Sequence, residues 1–119
     1  MEYKIGDIVW VSEAIKTQER GSVKNHLFVI IGDDGKSVPI EYFGFVISSR
    51  LDKSKENSIY KYNETIMKDN ENNLTTNSIV KCDQLLSIPE DNINRRIGSV
   101  NAEDLIRFLN AFEEFLQEN

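Results

Sequence analysis

The chain has little of what several large function classes require. No run of about 18 apolar residues is present, so no segment reads as a membrane-spanning helix. The opening Met1-Glu2-Tyr3-Lys4 lacks the basic and apolar regions of a signal peptide, and a cytoplasmic protein is expected. One cysteine, Cys82, excludes an internal disulfide, and one cysteine with one histidine, His26, falls short of a protein-built zinc site. No metal or other cofactor is expected. Internal repeats are missing too, and the Asn/Lys-rich middle is too short to link two domains.

Basic residues are also in deficit. The formal net charge is −6, the wrong sign for holding nucleic acid by bulk electrostatics. The deficit is uneven. Residues 1–63 carry nine basic and nine acidic side chains, whereas residues 64–119 carry five and eleven. A local basic cleft built from the first half is therefore compatible with the total.

What is present suffices for one core: 119 residues, 39% hydrophobic, read as a single domain over 1–119. Gly6-Asp7 precedes Ile8-Val9-Trp10-Val11, a strand entered from a tight bend. Ser12 to Asn25 is polar with no clear period and reads as a long loop. Leu27 to Ile31 is a continuous apolar run ended by Gly32-Asp33-Asp34-Gly35, which suits a strand buried on both faces. Phe43 to Ser48 repeats that character. An edge strand is expected around Ile59 to Ile66, a loop at Asp69 to Asn73, and short strands at Ser78 to Cys82 and Leu85 to Ile88. A further turn and strand holds Ile93, Ile97 and Val100, for five or six strands in all.

The last segment changes period. Leu105, Ile106, Phe108, Leu109, Phe112, Phe115 and Leu116 recur at three- and four-residue intervals, which predicts an amphipathic helix over about 102 to 117. Asn101 is placed to cap it with Asp104 at the third helical position, and Glu103, Arg107, Asn110, Glu114 and Glu118 form the expected solvated face. The class is α+β, mainly β: a small, strongly curved sheet or partial barrel closed by one helix.

Four segments in order carry a resemblance to a known family. Ser78-Ile79-Val80-Lys81-Cys82-Asp83-Gln84-Leu85-Leu86-Ser87-Ile88 resembles "S-V-[VI]-x-[CL]-[DE]-Q-x-R-T-[IL]". Lys4-Ile5-Gly6-Asp7-Ile8-Val9-Trp10-Val11 resembles "x-x-G-D-I-[VW]-x-[VA]", and Phe28 to Asp33 resembles "V-[LV]-[VI]-I-x-[NS]-D". Phe45 to Leu51 lies where an apolar strand ends in "T-S". These are the segments of the MazF/PemK (Kid-like) ribonuclease toxins. The resemblance implies an SH3-like, MazF/CcdB-like barrel with a C-terminal helix. It also implies a homodimer, metal-independent cleavage of single-stranded RNA at short sequences, and neutralisation by a cognate antitoxin.

Such cleavage uses the ribose 2′-OH as nucleophile and needs a base, a cation and a proton donor. The resemblance puts Asp83 at the family's DQ acid and Lys81 at a basic position two residues earlier; on a strand both would share one face. The plainer reading makes Asp83 a turn cap and Lys81 a solvated strand cation. Ser48 stands at the threonine that donates to the scissile phosphate, or simply ends a strand through a local backbone bond. Asn25-His26 occupies the place of Arg-Pro in many members. His26 is then the candidate acid or base, or an ordinary structural histidine. Lys24, Arg20, Ser49, Arg50, Lys53 and Gln84 are candidate RNA contacts, with Lys55 beside them; the Arg50, Lys53 and Lys55 group reads equally well as a solvated charge cluster.

Leu86, Ser87 and Pro89 replace Arg, Thr and Asp. With Asn25, that departure supplies the alternative: a catalytically degenerate member of the fold acting as a nucleic-acid- or protein-binding module. Cys82 faces away from Lys81 and Asp83 as a small core residue. Trp10 and the Phe stripe are expected in the core or a dimer interface rather than as base-stacking platforms. Tyr42, Tyr60 and Tyr62 are too scattered for a Pro-rich peptide groove.

Overall fold

The computed structural model describes residues 2–56 and 58–118. Its elements are β1 (Asp7–Lys16), β2 (Ser22–Asp33), β3 (Glu41–Ser48), β4 (Asn63–Ile66), β5 (Ser78–Lys81), β6 (Leu86–Pro89), β7 (Ile93–Ser99) and α1 (Ala102–Glu118). Short 3-10 turns occupy Leu51–Lys53, Ser58–Tyr60 and Glu90–Asn92.

Every strand pairing is antiparallel. β1, β2 and β3 form a meander, and β6 bridges the Ile15–Lys16 end of β1 to the Glu41–Gly44 end of β3. The four strands thus make a partly closed ring. β7 extends it along β1, while β5 and then β4 extend it along β3. The mainly β fold with one C-terminal helix agrees with the sequence reading.

Two apolar clusters follow from strand alternation. Val9, Val11, Phe28, Ile30, Leu86 and Ile88 belong to one, contributed by the strands of the ring. Ile8, Val29, Phe45, Val80, Cys82 and Phe108 belong to the other, which joins the sheet to α1. Cys82 is fully buried there, as expected of a small core residue, and burial pushes its thiol well above the ordinary value.

The Ser12–Asn25 loop is a correction. β1 continues to Lys16 and β2 begins at Ser22, in one register from Val11↔His26 to Ile15↔Ser22. Much of this projecting hairpin is exposed, with Ile15 at 48%, so no burial pattern was imposed on its sequence. Main-chain pairing holds it, helped by the Ser22 hydroxyl donating to Glu13 at 3.0 Å. The edge strand is shorter than expected, because a 3-10 turn replaces it up to Tyr60. The strand count among the described residues is seven rather than five or six.

The helix matches its expected span to within a residue at its end, and the Asn101 side chain accepts from the Asp104 N–H at 2.8 Å. Its faces differ from expectation. Phe108 and Ala111 are buried, yet Ile106, Leu109 and Leu116 are exposed. Arg107, assigned to the solvated face, donates to Glu64 of β4 at 2.8 Å and to the Thr65 carbonyl at 2.8 Å. Glu118 accepts from Lys61 at 2.7 Å and from the Tyr62 hydroxyl. The polar face of α1 is therefore partly a docking face. Among the described residues no helix is long and apolar enough to cross a membrane.

Candidate functional site

β5 ends at Lys81, and Cys82 and Asp83 form a turn in which the Gln84 N–H approaches the Lys81 carbonyl at 3.5 Å. Lys81 and Asp83 therefore do not share a face through the strand pleat. The turn brings them to one open cavity of about 240 Å³ all the same, together with Gln84, Lys53, Tyr60 and Asn63. Asn63 braces this wall, its carboxamide donating to the Lys53 carbonyl at 2.9 Å.

The electrostatics of the pair are opposed. Burial raises the Asp83 carboxyl above its ordinary value, against the stabilising pull of a backbone N–H and the Lys81 charge. Burial lowers the Lys81 ammonium, and the charges of Lys53, Lys16 and Arg50 lower it further, while Asp83 opposes them. Three cations from the first half of the chain thus act on one lysine from the second. Only Lys53 of the three lines this cavity, Lys16 being paired with Glu19 and Arg50 with Asp52, so the cavity itself holds two lysines beside one carboxylate.

The remaining expected residues divide. Ser48 is buried, and its hydroxyl accepts from the Arg50 N–H at 3.2 Å, which is the local strand-ending bond. The Arg50 guanidinium is held by Asp52 in a two-pronged pair at 3.0 and 2.9 Å. Lys55 pairs with Glu64 at 3.2 Å. Lys24 lies 3.9 Å from Glu13 on the exposed hairpin, and Arg20 is exposed at its tip. Neither lines the Lys81–Asp83 cavity.

His26 and Ser49 meet elsewhere. They line a second cavity of about 240 Å³ with Trp10, Asn25, Thr75 and Thr76. Ser78, at the opposite end of β5 from Lys81, is part of that lining, which separates the two sites along the strand by about 10 Å. His26 is thus not assembled with Lys81 and Asp83. Ser49, which is exposed, lines this cavity, and Ser48 does not. Trp10 is half-buried on the cavity wall.

Sequence reasoning missed three contributors. Tyr60 and Asn63 reach the Lys81–Asp83 cavity through the 3-10 turn and β4, and Lys16 lines an adjoining cavity that shares Asp83 and Gln84. The only signal for Tyr60 was an aromatic residue in a polar stretch. For Lys16 there was none, because its segment reads as loop.

Against known proteins, residues 4–116 match a family described as the PemK-like, MazF-like toxin of type II toxin-antitoxin systems. Among solved structures the fold is similar to the Mycobacterium tuberculosis toxin MazF-mt6, at 17% identity and a TM-score of 0.59, over 89% of this chain and 96% of that one. It is also similar to an endoribonuclease in complex with its cognate antitoxin from Mycobacterial species, at 11% identity and a TM-score of 0.59, over 92% of this chain and 96% of that one. No curated protein matches the chain.

Proposed function

We propose that this chain, which belongs to the PemK-like, MazF-like toxins of type II toxin-antitoxin systems, is an endoribonuclease that cuts single-stranded RNA at the Lys81–Asp83 cavity. The observation that carries the reading is the pair itself: an acid whose proton is held more tightly than usual and an amine whose proton is held less tightly, facing one open space. Each is shifted toward the range where proton transfer is efficient near neutral pH.

In the proposed step the Asp83 carboxylate takes the proton of a ribose 2′-OH. The 2′ oxygen forms a bond to the adjacent phosphorus, the bond from phosphorus to the 5′ oxygen breaks, and Lys81 gives its proton to that oxygen. The products are a 2′,3′-cyclic phosphate and a 5′-OH end. Lys53, which makes no ion pair among the described residues, supplies positive charge to the phosphorane, and Gln84 offers a carboxamide to the RNA. Because the nucleophile belongs to the substrate, no metal-activated water is needed.

The partners on this reading are single-stranded RNA and a cognate antitoxin that occludes the cavity. A homodimer acting in the cytoplasm completes it, with the exposed Ile106, Leu109 and Leu116 as apolar surface available to a second copy.

A binding-only reading rests on Asn25, which puts no charge in the His26–Ser49 cavity, and on the Arg50–Asp52 pair, which engages the Arg50 guanidinium. Incubation of wild type and Asp83→Ala with a long single-stranded RNA in EDTA separates the two. Discrete cuts bearing 2′,3′-cyclic phosphates and lost in the variant support the nuclease; intact RNA with folded, antitoxin-free wild type sinks it.

A further inference from the structure

Asp83 and Gln84 line two cavities. The second, of about 260 Å³, lies between the tip of the β1–β2 hairpin and the last turns of α1, where Leu85 and Phe115 supply its apolar wall. We infer that this cavity holds one nucleobase of the RNA beside the cleaved bond and sets which bases are accepted there, the Phe115 ring and Leu85 contacting the base face and Gln18, Gln84 and Glu19 reading its edge. The inference rests on the Lys81–Asp83 reading, since the shared Asp83–Gln84 wall is what puts the base next to the reacting phosphate.

Several independent features fit a base rather than another ligand. Phe115 is a braced ring: it meets Tyr62 edge-on at 5.3 Å between centroids and stacks with Phe112 at 6.5 Å. The end of the helix carrying it is tied down by Glu118, which accepts from Lys61 and Tyr62. Part of this ring lines the cavity, and a wall held in this way contacts a base with little ordering cost on binding.

The opposite wall is also fixed. The Thr17 hydroxyl donates to the Leu85 carbonyl at 2.8 Å, which docks the hairpin tip onto the turn that carries Asp83. Thr17 is thereby spent, whereas the Gln18 and Gln84 carboxamides make no hydrogen bond among the described residues and remain available in both donor and acceptor senses. Glu19 lies 3.1 Å from Lys16, an exposed pair that a ligand can open at small cost. A carboxylate at the rim accepts from the exocyclic amines of adenine, cytosine and guanine, whereas uracil offers it only a ring N–H.

The test uses short single-stranded RNAs that vary at one base flanking the cut and carry a 2′-O-methyl group at the reacting ribose, so that binding is read without cleavage. Affinities of wild type, Phe115→Leu and Gln18→Ala are measured by fluorescence anisotropy, and the unmodified RNAs are assayed for cleavage in parallel. Phe115→Leu keeps apolar volume against Tyr62 and Phe112, and Gln18 is exposed, so Gln18→Ala leaves the fold intact. The expected result is a loss of about tenfold or more in Phe115→Leu for the preferred base, with the ranking among the four bases flattened in one or both variants. Unchanged affinities and ranking in both variants overturn the inference, as does wild type that binds all four RNAs equally or binds none. If the ranking collapses in the variants but wild type cuts none of the unmodified RNAs, the base cavity stands and the nuclease reading falls. If RNA is cut and the ranking is untouched, the reverse holds.

Discussion

Replacing Asp83 by asparagine keeps the size and hydrogen-bonding reach of the side chain and removes only its proton chemistry and charge. A positioned general acid or base contributes roughly 10²–10⁴-fold to rate, or about 3–5 kcal/mol of barrier at 1.36 kcal/mol per tenfold. Single-turnover cleavage of an end-labelled RNA in EDTA should fall by that factor. The pH profile should change shape as well. In wild type the rate rises as Asp83 ionises, at a pH raised from its ordinary value by burial, and falls as Lys81 loses its proton, at a pH lowered from its ordinary value by burial. The asparagine variant should lose the acidic limb of that bell and keep a weak alkaline one.

Stability should move the opposite way from activity. Because burial raises the Asp83 carboxyl, the folded chain holds a proton that the unfolded chain has already released between the ordinary and the raised value. Wild-type stability therefore falls as pH rises through that window, and the penalty persists above it. Asparagine removes the penalty, so urea unfolding should find the variant slightly more stable at neutral pH, with the difference closing in acid. Partial exposure and the nearby Lys81 keep the gain under about 1 kcal/mol. A variant cleaving within tenfold of wild type would refute proton transfer by Asp83. One that is inactive but less stable at pH 7 would show that the carboxylate is structural.

Other consequences are open to direct measurement. Lys53→Ala should weaken RNA binding across sequences and reduce the slope of log affinity against log salt by about 0.7, the value for one phosphate contact on a single strand; an unchanged slope removes Lys53 from the interface. At Gly98 an added Cβ would sit 2.4 Å from the Glu71 carbonyl oxygen and 2.6 Å from that of Asn72, so Gly98→Ala should cost about 1–3 kcal/mol by urea unfolding. Asn101→Ala removes the acceptor of the Asp104 N–H and should cost about 1 kcal/mol, with no direct effect on the cavity.

The parts legible without the structure are those where burial writes a period into the chain. The runs at Ile8–Val11, Leu27–Ile31 and Phe43–Ser48 had to be apolar because ring interior and helix side both cover them, and α1 was legible because its Leu, Ile and Phe residues recur at three- and four-residue intervals around the buried Phe108. The hairpin extension from Ser12 to Asn25 was not, since its ends project into solvent and main-chain bonds hold them whatever the side chains. Arg107 likewise reads as a solvated cation until Glu64 is found buried beneath it.

For the site the division is similar. By itself the sequence determined a mainly β chain with one capped helix, the family to which it belongs, and the proximity of Lys81 and Asp83, because two residues so close in a chain are neighbours in strand or turn alike. Only the tertiary structure decided that Ser48 is spent on its own backbone, that His26 and Ser49 face a different cavity, and that Lys16, Lys53 and Tyr60 gather around Asp83. Those relations depend on how β1, β3, β4 and β5 pair, and long-range pairing leaves no local trace in a segment that it does not bury.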